Sequence, residues 1–346
     1  MRFPAIYSFP TIGSRTWALR PWDERLLEMG NYSLMRTMAH MSMHVHQPRI
    51  FGTHGHIDNS HLDNKEARIL IQLEINALIH AFKNIDDNRY SSIRDALSIR
   101  AERRRLFPDA AMSENVFEVH EGLVDYTDIR IVQLGFYEKV EHFEWSASRL
   151  RYDTSLSRMF GYVSGALYGF LLDNTGATWR NDVQYGVDLG AMLIERMDLA
   201  DIPAFADVDL DLYGYTKIMS FEEERYKAHG QMLDDLFDAF TTQTLLHIPT
   251  AFERGGMQLN PSRIFSISGL GVAYGGPTVV VSGDFGRLVV YDGFFVRLIG
   301  GRNGSVVATD MTIEDNRYSA HGWFLELNDG FVVRSRPDGH YVVSRA

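Results

Sequence analysis

The sequence predicts an α+β protein that is mainly α: a helical domain over 1–255 and a small all-β domain over 256–346, an antiparallel sandwich or barrel. Three observations predict it. Up to about Phe252 apolar residues recur at helical spacing. After Pro261 they fall into short runs broken by Gly, Asn and Asp. The charge balance changes at the same place. From 262 on there are 8 Lys/Arg and 8 Asp/Glu, so the whole net charge of −11 sits in the first part, with 26 basic residues against 37 acidic.

The elements follow in order. Leu34, Met38, Met41 and Val45 recur at helical spacing. Arg68 to Phe82 reads RILIQLEINALIHAF, apolar on nearly every side, which predicts a buried helix. Ser91–Phe107, Ser113–Tyr137, Ser157–Leu172, Val187–Met197 and Phe221–Phe240 read as further helices. Asp207, Asp209, Asp211 and Glu222 to Glu224 read as a solvated acidic face, with a cation site as the alternative. The tail runs TVVVSG, RLVVYDG, FFVRLIGG, SVVATD, WFLELNDG, FVVRS and HYVVS are strands at regular spacing.

Composition removes several function classes. The chain has 346 residues and no cysteine, which excludes disulfide scaffolds, thiolate metal sites and thiol catalysis. The acidic balance argues against a general nucleic-acid binder, which needs a basic stripe. Apolar runs stay well short of the roughly 20 residues of a membrane helix. The start, MRFPAIYSFP, lacks a basic region followed by an apolar stretch. A cytoplasmic protein without membrane or nucleic-acid partners is expected; the alternative is an exported protein whose N-terminus is truncated.

Histidine carries the first chemical signal. Six of the 13 histidines fall between 40 and 61: His40, His44, His46, His54, His56 and His61. His40 and His44 are four apart on a predicted helix, so they share a face, the arrangement in which two imidazoles grip one zinc ion. A structural pair at the same spacing is the alternative. A third ligand is needed, and FEVHEGLVDYT supplies Glu121, beside a Gly122 that would let another helix approach closely. Glu74 is a second candidate. It lies on the helix that is apolar all round, where a carboxylate must be paired, protonated or metal-bound. An ion pair with Arg100 or Arg104 is the other reading of Glu74. His54, His56 and His61 lie in FGTHGHIDNSH, a polar Gly-containing loop, and read chiefly as exposed loop residues; lining the pocket or holding a second ion are the alternatives.

These strings resemble a family. MAHMSMHVHQPRI resembles the active-site helix of zincin metallopeptidases, whose pattern is H-E-x-x-H. HEGLVDY resembles the second zinc-ligand motif of the gluzincin branch, N-E-G-F-A-x-Y in aminopeptidase N-like enzymes. SRTWALRPW (14–22), HLDNKEARILIQLEINAL (61–78), DALSIRAERRRLFP (95–108), HEGLVDYT (120–127) and GYVSGALYGFLLD (161–173) are similar, in the same order, to a group of bacterial gluzincin-like proteins. The resemblance implies a zincin-like helical domain. It also implies His40, His44 and Glu121 as zinc ligands, with Glu74 as a supporting residue or alternative ligand. Seventy-seven positions separate His44 from Glu121, more than in most gluzincins, and this keeps Glu74 in contention. Tyr162 is the implied oxyanion-stabilising hydroxyl; a core tyrosine is the alternative.

One departure matters most. The peptidase motif has Glu after the first histidine, to take a proton from the attacking water and pass it on. Here that position is Met41, and no Asp or Glu occurs from Met29 to Ile57. His46 or His120 could substitute as base, although His46 points about 200° away from His44 on a straight helix. The leading expectation is a degenerate peptidase that keeps a zinc site but not catalysis, and that binds or regulates a peptide or protein ligand. An active zinc hydrolase with a non-standard base is the second. A metal-free structural or interaction protein, with the β tail as its binding module, is the third.

Overall fold

The computed structural model describes residues 11–18, 30–55, 57–151, 156–250, 256–260, 263–277, 279–300, 303–314 and 316–346. His56 and positions 19–22 of the SRTWALRPW stretch lie outside the described residues. The architecture is α+β and mainly α, with helices first and sheets after. The chain divides into two compact units, Met1–Glu224 and Arg225–Ala346.

The first unit is built from α1 (Gly30–Ile50), α2 (Lys65–Lys83), α3 (Asp87–Leu106), α4 (Ala111–Phe117), α5 (Leu123–Ile131), α6 (Phe136–Leu150), α7 (Phe160–Leu172) and α8 (Leu189–Met197). The last helix, α9 (Tyr215–Thr242), begins in it. Side-chain caps set several of the starts. Asn64 accepts from the backbone N–H groups of Glu66 and Ala67 at the head of α2, and Asp86 accepts from that of Asn88 at the head of α3. α2 is buried along almost its whole length, as its all-round apolar sequence demands.

The stretch Ser113–Tyr137 reads as one helix in sequence, and the structure breaks it twice. Between α4 and α5 the backbone widens into a π-helical turn over Glu118–Gly122, where the Leu123 N–H bonds to the Glu118 carbonyl five residues back. At the other end Gln133 takes a positive φ of 58°, and the Gly135 N–H donates to the Glu138 carboxylate at 2.7 Å, which starts α6. The pattern missed α6 because it ran α5 on past this break.

A knot of charge sits inside this core. Arg100 Nη1 donates to Glu74 Oε1 at 3.0 Å and to Glu118 Oε1 at 2.9 Å, and its Nη2 donates to Glu118 Oε2 at 2.7 Å. Arg103 donates to Glu74 through Nη1, and to Glu114 at 2.8 Å and 3.0 Å. Tyr168 and Ser164 on α7 donate to Glu74 and Glu118 at 2.9 Å and 2.8 Å. Glu74, Glu114 and Glu118 are fully buried, which such charges tolerate only when paired and hydrogen-bonded.

Close packing of backbone completes the unit. Gly161, Gly165 and Gly169 recur every fourth residue on α7, so they line one face. A Cβ on Gly122 would lie 2.3 Å from the Gly161 carbonyl oxygen and 2.6 Å from the Gly165 Cα. The π turn and α7 therefore touch backbone to backbone.

In the second unit two sheets enclose one core. The first runs, strand by hydrogen-bonded neighbour, Phe331–Ser335, Tyr341–Arg345, Leu245–Pro249, Asn303–Val307, Phe294–Leu298, Gly271–Gly275 and Ile264–Ile267. The second runs Thr312–Glu314, Arg317–Ala320, Trp323–Leu327, Gly286–Val290, Val279–Gly283 and Gly256–Gln258. Leu246, Phe295 and Val306 of the first meet Val281, Leu288 and Trp323 of the second, as in a sandwich. Pairing is antiparallel except between Tyr341–Arg345 and Leu245–Pro249, which are parallel. LLHIP, read from sequence as part of the mostly helical stretch, is thus a central strand of the first sheet. Leu236 and Phe240 of α9 cover Phe265, Ile267 and Val296 in a second small core.

Gly122→Ala forces the π turn off α7, because the nearest atoms are backbone that cannot rotate aside. We predict a loss of stability of about 1–3 kcal/mol in urea unfolding, whereas Gly230→Ala, where a Cβ meets nothing within 4 Å, leaves stability unchanged or slightly raised.

Candidate metal centre

α1 and the π turn bring three of the sequence candidates together. His40 and His44 project from one face of α1, and Glu121 comes from the turn held against α7. Their Nε2 atoms are 3.1 Å apart, and Glu121 Oε2 is 3.7 Å from His40 Nε2 and 3.4 Å from His44 Nε2. Tetrahedral zinc with bonds near 2.0–2.1 Å needs ligand atoms roughly 3.3 Å apart. His40, His44 and Glu121 are a group that could hold a metal ion.

The other ring nitrogens are engaged. His40 Nδ1 donates to Asp128 Oδ2 at 3.0 Å, and a carboxylate only accepts, so once the ring gives up its second proton the Nε2 lone pair faces inward. His44 Nδ1 donates to Gln47 Oε1 at 2.7 Å, while Gln47 Nε2 donates to the His120 carbonyl at 2.6 Å. Partners of this kind orient metal-binding imidazoles and select their tautomer. Gln47 also ties α1 to the π turn, so the segment that presents Glu121 is bonded to the helix that presents the histidines.

The electrostatics favour a cation. Glu121 Oε2 is buried without a hydrogen-bond partner among the described residues and lies between the two imidazoles. Burial pushes this carboxyl up, but His40 and His44 outweigh it and hold it well below the usual carboxylate range. Burial likewise pushes His40 down, and Asp128 and Glu121 reverse that, lifting it to about 9. The field that stabilises a proton there also stabilises a metal ion. His120 behaves oppositely. Burial, offset only in part by Glu121 and reinforced by His44 and His54, lowers it to about 4, so it is neutral at neutral pH. Its Nδ1 is 3.0 Å from the Tyr185 hydroxyl.

The remaining sequence candidates separate. Glu74 is no alternative ligand: its oxygens are taken by Arg100, Arg103 and Tyr168 in the core. Arg104 instead pairs with Asp188 and reaches Glu114 at 3.4 Å. Met41 is 5% exposed, turned into the protein. His46 is exposed, about 200° round α1 from His44. Tyr162 lies against His40, ring centroids 5.9 Å apart and nearly parallel at 14°. In the loop after α1, His54 is exposed, yet its ring packs 4.7 Å from His120 and 4.6 Å from Tyr185. His61 is drawn into the core network, its Nε2 2.8 Å from Glu114 Oε1.

Sequence reasoning missed Asp128, Asp125, Arg36 and Gln47. Arg36 binds Asp128 through Nε at 2.7 Å and Asp125 through Nη2, so a second cluster of His40, Asp125 and Asp128 already holds a cation, the guanidinium. The signal was present. Glu121, Asp125 and Asp128 fall at i, i+4 and i+7, and Arg36, His40, His44 and Gln47 at i, i+4, i+8 and i+11, so each set lines one helix face.

No protein-family model matches the chain, and neither the curated proteins nor the solved structures compared with it give a match. No helix among the described residues is long and apolar enough to cross a membrane.

Asp128→Asn removes the charge that fixes His40 while keeping the shape. We expect metal affinity to fall about 10–100-fold in a competition titration with a fluorescent zinc chelator, with an unchanged circular dichroism spectrum.

Proposed function

We propose that the helical unit binds zinc through His40, His44 and Glu121 and uses the site to bind a peptide or protein ligand rather than to cleave it. On this reading it is a degenerate gluzincin-like unit. The observation that carries it is the pairing of two facts: three ligand atoms converge at tetrahedral spacing, and the neighbour of His40 is a buried methionine. Three protein ligands leave one position open, as in sites that take an external donor. Zinc bound there supplies a Lewis acid that polarises an incoming oxygen donor.

Among the described residues, the carboxylates beside His40 other than Glu121 are not free to act as a base. Met41 carries no exchangeable proton. Asp125 and Asp128, the carboxylates that cluster with His40, are tied to Arg36. Losing a general base costs on the order of 10²–10⁴ in rate. A second reading, hydrolysis with His120 as base, is favoured by one observation: this neutral imidazole stands 5.0 Å, ring to ring, from His44 and is held by Tyr185.

Zinc content and peptide cleavage test the proposal together, on protein purified without a histidine tag. We expect close to one zinc per chain, lost in His44→Ala, and no zinc-dependent cleavage of a peptide library. Chelator-sensitive cleavage that disappears in His120→Ala would replace the proposal with the second reading. Absence of zinc even after incubation with the ion would overturn both.

A further inference from the structure

The last two strands of the second unit, Phe331–Ser335 and Tyr341–Arg345, form a hairpin at one end of the first sheet. It pairs with Leu245–Pro249 through a parallel ladder of two residue pairs, Tyr341 with Leu246 and Val342 with His247. On its other side Leu245–Pro249 makes five pairs with Asn303–Val307. Val343 is buried in the sandwich core, and Phe331, Val333 and Tyr341 are half-buried against it. So few pairs and so little buried apolar surface make a hairpin that can open without the rest of the sandwich.

Two imidazoles sit on that junction. The Leu245 N–H, at the start of the central strand, donates to His340 Nδ1 at 3.1 Å. That nitrogen accepts only while it carries no proton, so the docked hairpin requires a neutral His340 ring. His247 is 8% exposed and stands beside it, ring centroids 5.5 Å apart, with Nδ1 2.9 Å from the Ser305 hydroxyl. The charged groups that face the pair, among the described residues, are Arg336 and Asp338 of the hairpin's own turn, bonded to each other at 2.8 Å. Asn303–Val307 carries no charged side chain. Tyr341–Arg345 carries the Tyr341 hydroxyl and Arg345, which lies over the Phe331 ring at 5.9 Å. α9 meets this sheet through apolar side chains, Leu236 and Phe240. Burial, with Arg336 and His340, pushes His247 below its ordinary range, and Asp338 opposes this only in part. Protons on both rings would set two more positive charges beside Arg336, with the Asp338 carboxylate to share.

We propose that His340 and His247 make this hairpin an acid-released strap: as pH falls through the ordinary imidazole range both rings take protons, the Leu245 N–H loses its acceptor, and the hairpin leaves the sheet, baring the main-chain edge of Leu245–Pro249. The docked hairpin keeps the rings neutral, and the released one frees them to protonate at about pH 6.5. Docking is therefore complete above that pH and is lost as pH falls. This goes beyond the zinc reading and does not depend on it.

Hydrogen exchange of the full chain at about pH 7.5 and about pH 5, corrected for intrinsic exchange rates, tests it. We expect protection in 331–345 and at Leu246 to Ile248 to fall at least about tenfold, setting in as pH drops through about 6.5. Val279–Gly283 and Gly286–Val290 of the second sheet keep their protection. The double variant His247→Asn, His340→Asn offers an amide near each Nδ1 position but does not titrate, and its hairpin is equally protected at both pH values. Equal protection of the wild-type hairpin at both pH values overturns the proposal. So does a fall shared equally by the second sheet, a fall that begins only below about pH 4.5, in the carboxylate range, or a double variant that still releases. The wild-type comparison decides the question by itself if the variant does not fold.

Discussion

The helical unit is organised around one buried guanidinium. Arg100 lies in the core and joins Glu74 of α2 to Glu118, the first residue of the π turn. Charges in such a place are expensive to desolvate, and removing one partner of a buried pair costs about 3–5 kcal/mol. Every element that meets here is therefore confined: α2 by Glu74, α3 by Arg100 and Arg103, α7 by Tyr168 and Ser164. The turn that begins at Glu118 carries Glu121 three residues on. The knot thereby anchors the turn that presents Glu121 to the candidate metal centre.

Backbone approach makes the second constraint. Gly122 meets Gly161 and Gly165 at distances no side chain allows. Burial of Glu118 and contact with α7 fix the turn on one side, and the bond from Gln47 to the His120 carbonyl fixes it on the other. The result is that the side chains of the candidate site are held in place by the fold itself, so an ion bound there would need little further ordering. The widened turn has a consequence of its own. In a regular helix Glu118 and Glu121 would point only about 60° apart; the wider turn spreads them further, Glu118 toward Arg100 in the core and Glu121 toward His40 and His44.

Much of this was legible in sequence for identifiable reasons. α2 announced its burial by being apolar all round, and its one charge, Glu74, was rightly matched to Arg100 as one of two possible partners. The four-residue spacing of His40 and His44, and the glycine next to Glu121, pointed to groups that the fold does assemble. The π turn left no mark, because EVHEG carries no pattern that separates a π turn from a regular one, and the deviation comes with the close packing on α7. Asp128 and Gln47 stayed hidden because their importance lies in pairing across 88 positions in one case and in bridging to a carbonyl in the other. The strand Leu245–Pro249 was missed because LLHIP has the length and apolarity of either a strand or a buried helix end.

The central claim is that one zinc ion sits among His40, His44 and Glu121. Diffraction from zinc-soaked crystals at the zinc absorption edge tests it most directly. The account predicts a single anomalous peak about 2.0–2.2 Å from His40 Nε2, His44 Nε2 and one Glu121 oxygen. A peak elsewhere, such as on His54 and His120, or no peak at saturating zinc, would contradict it.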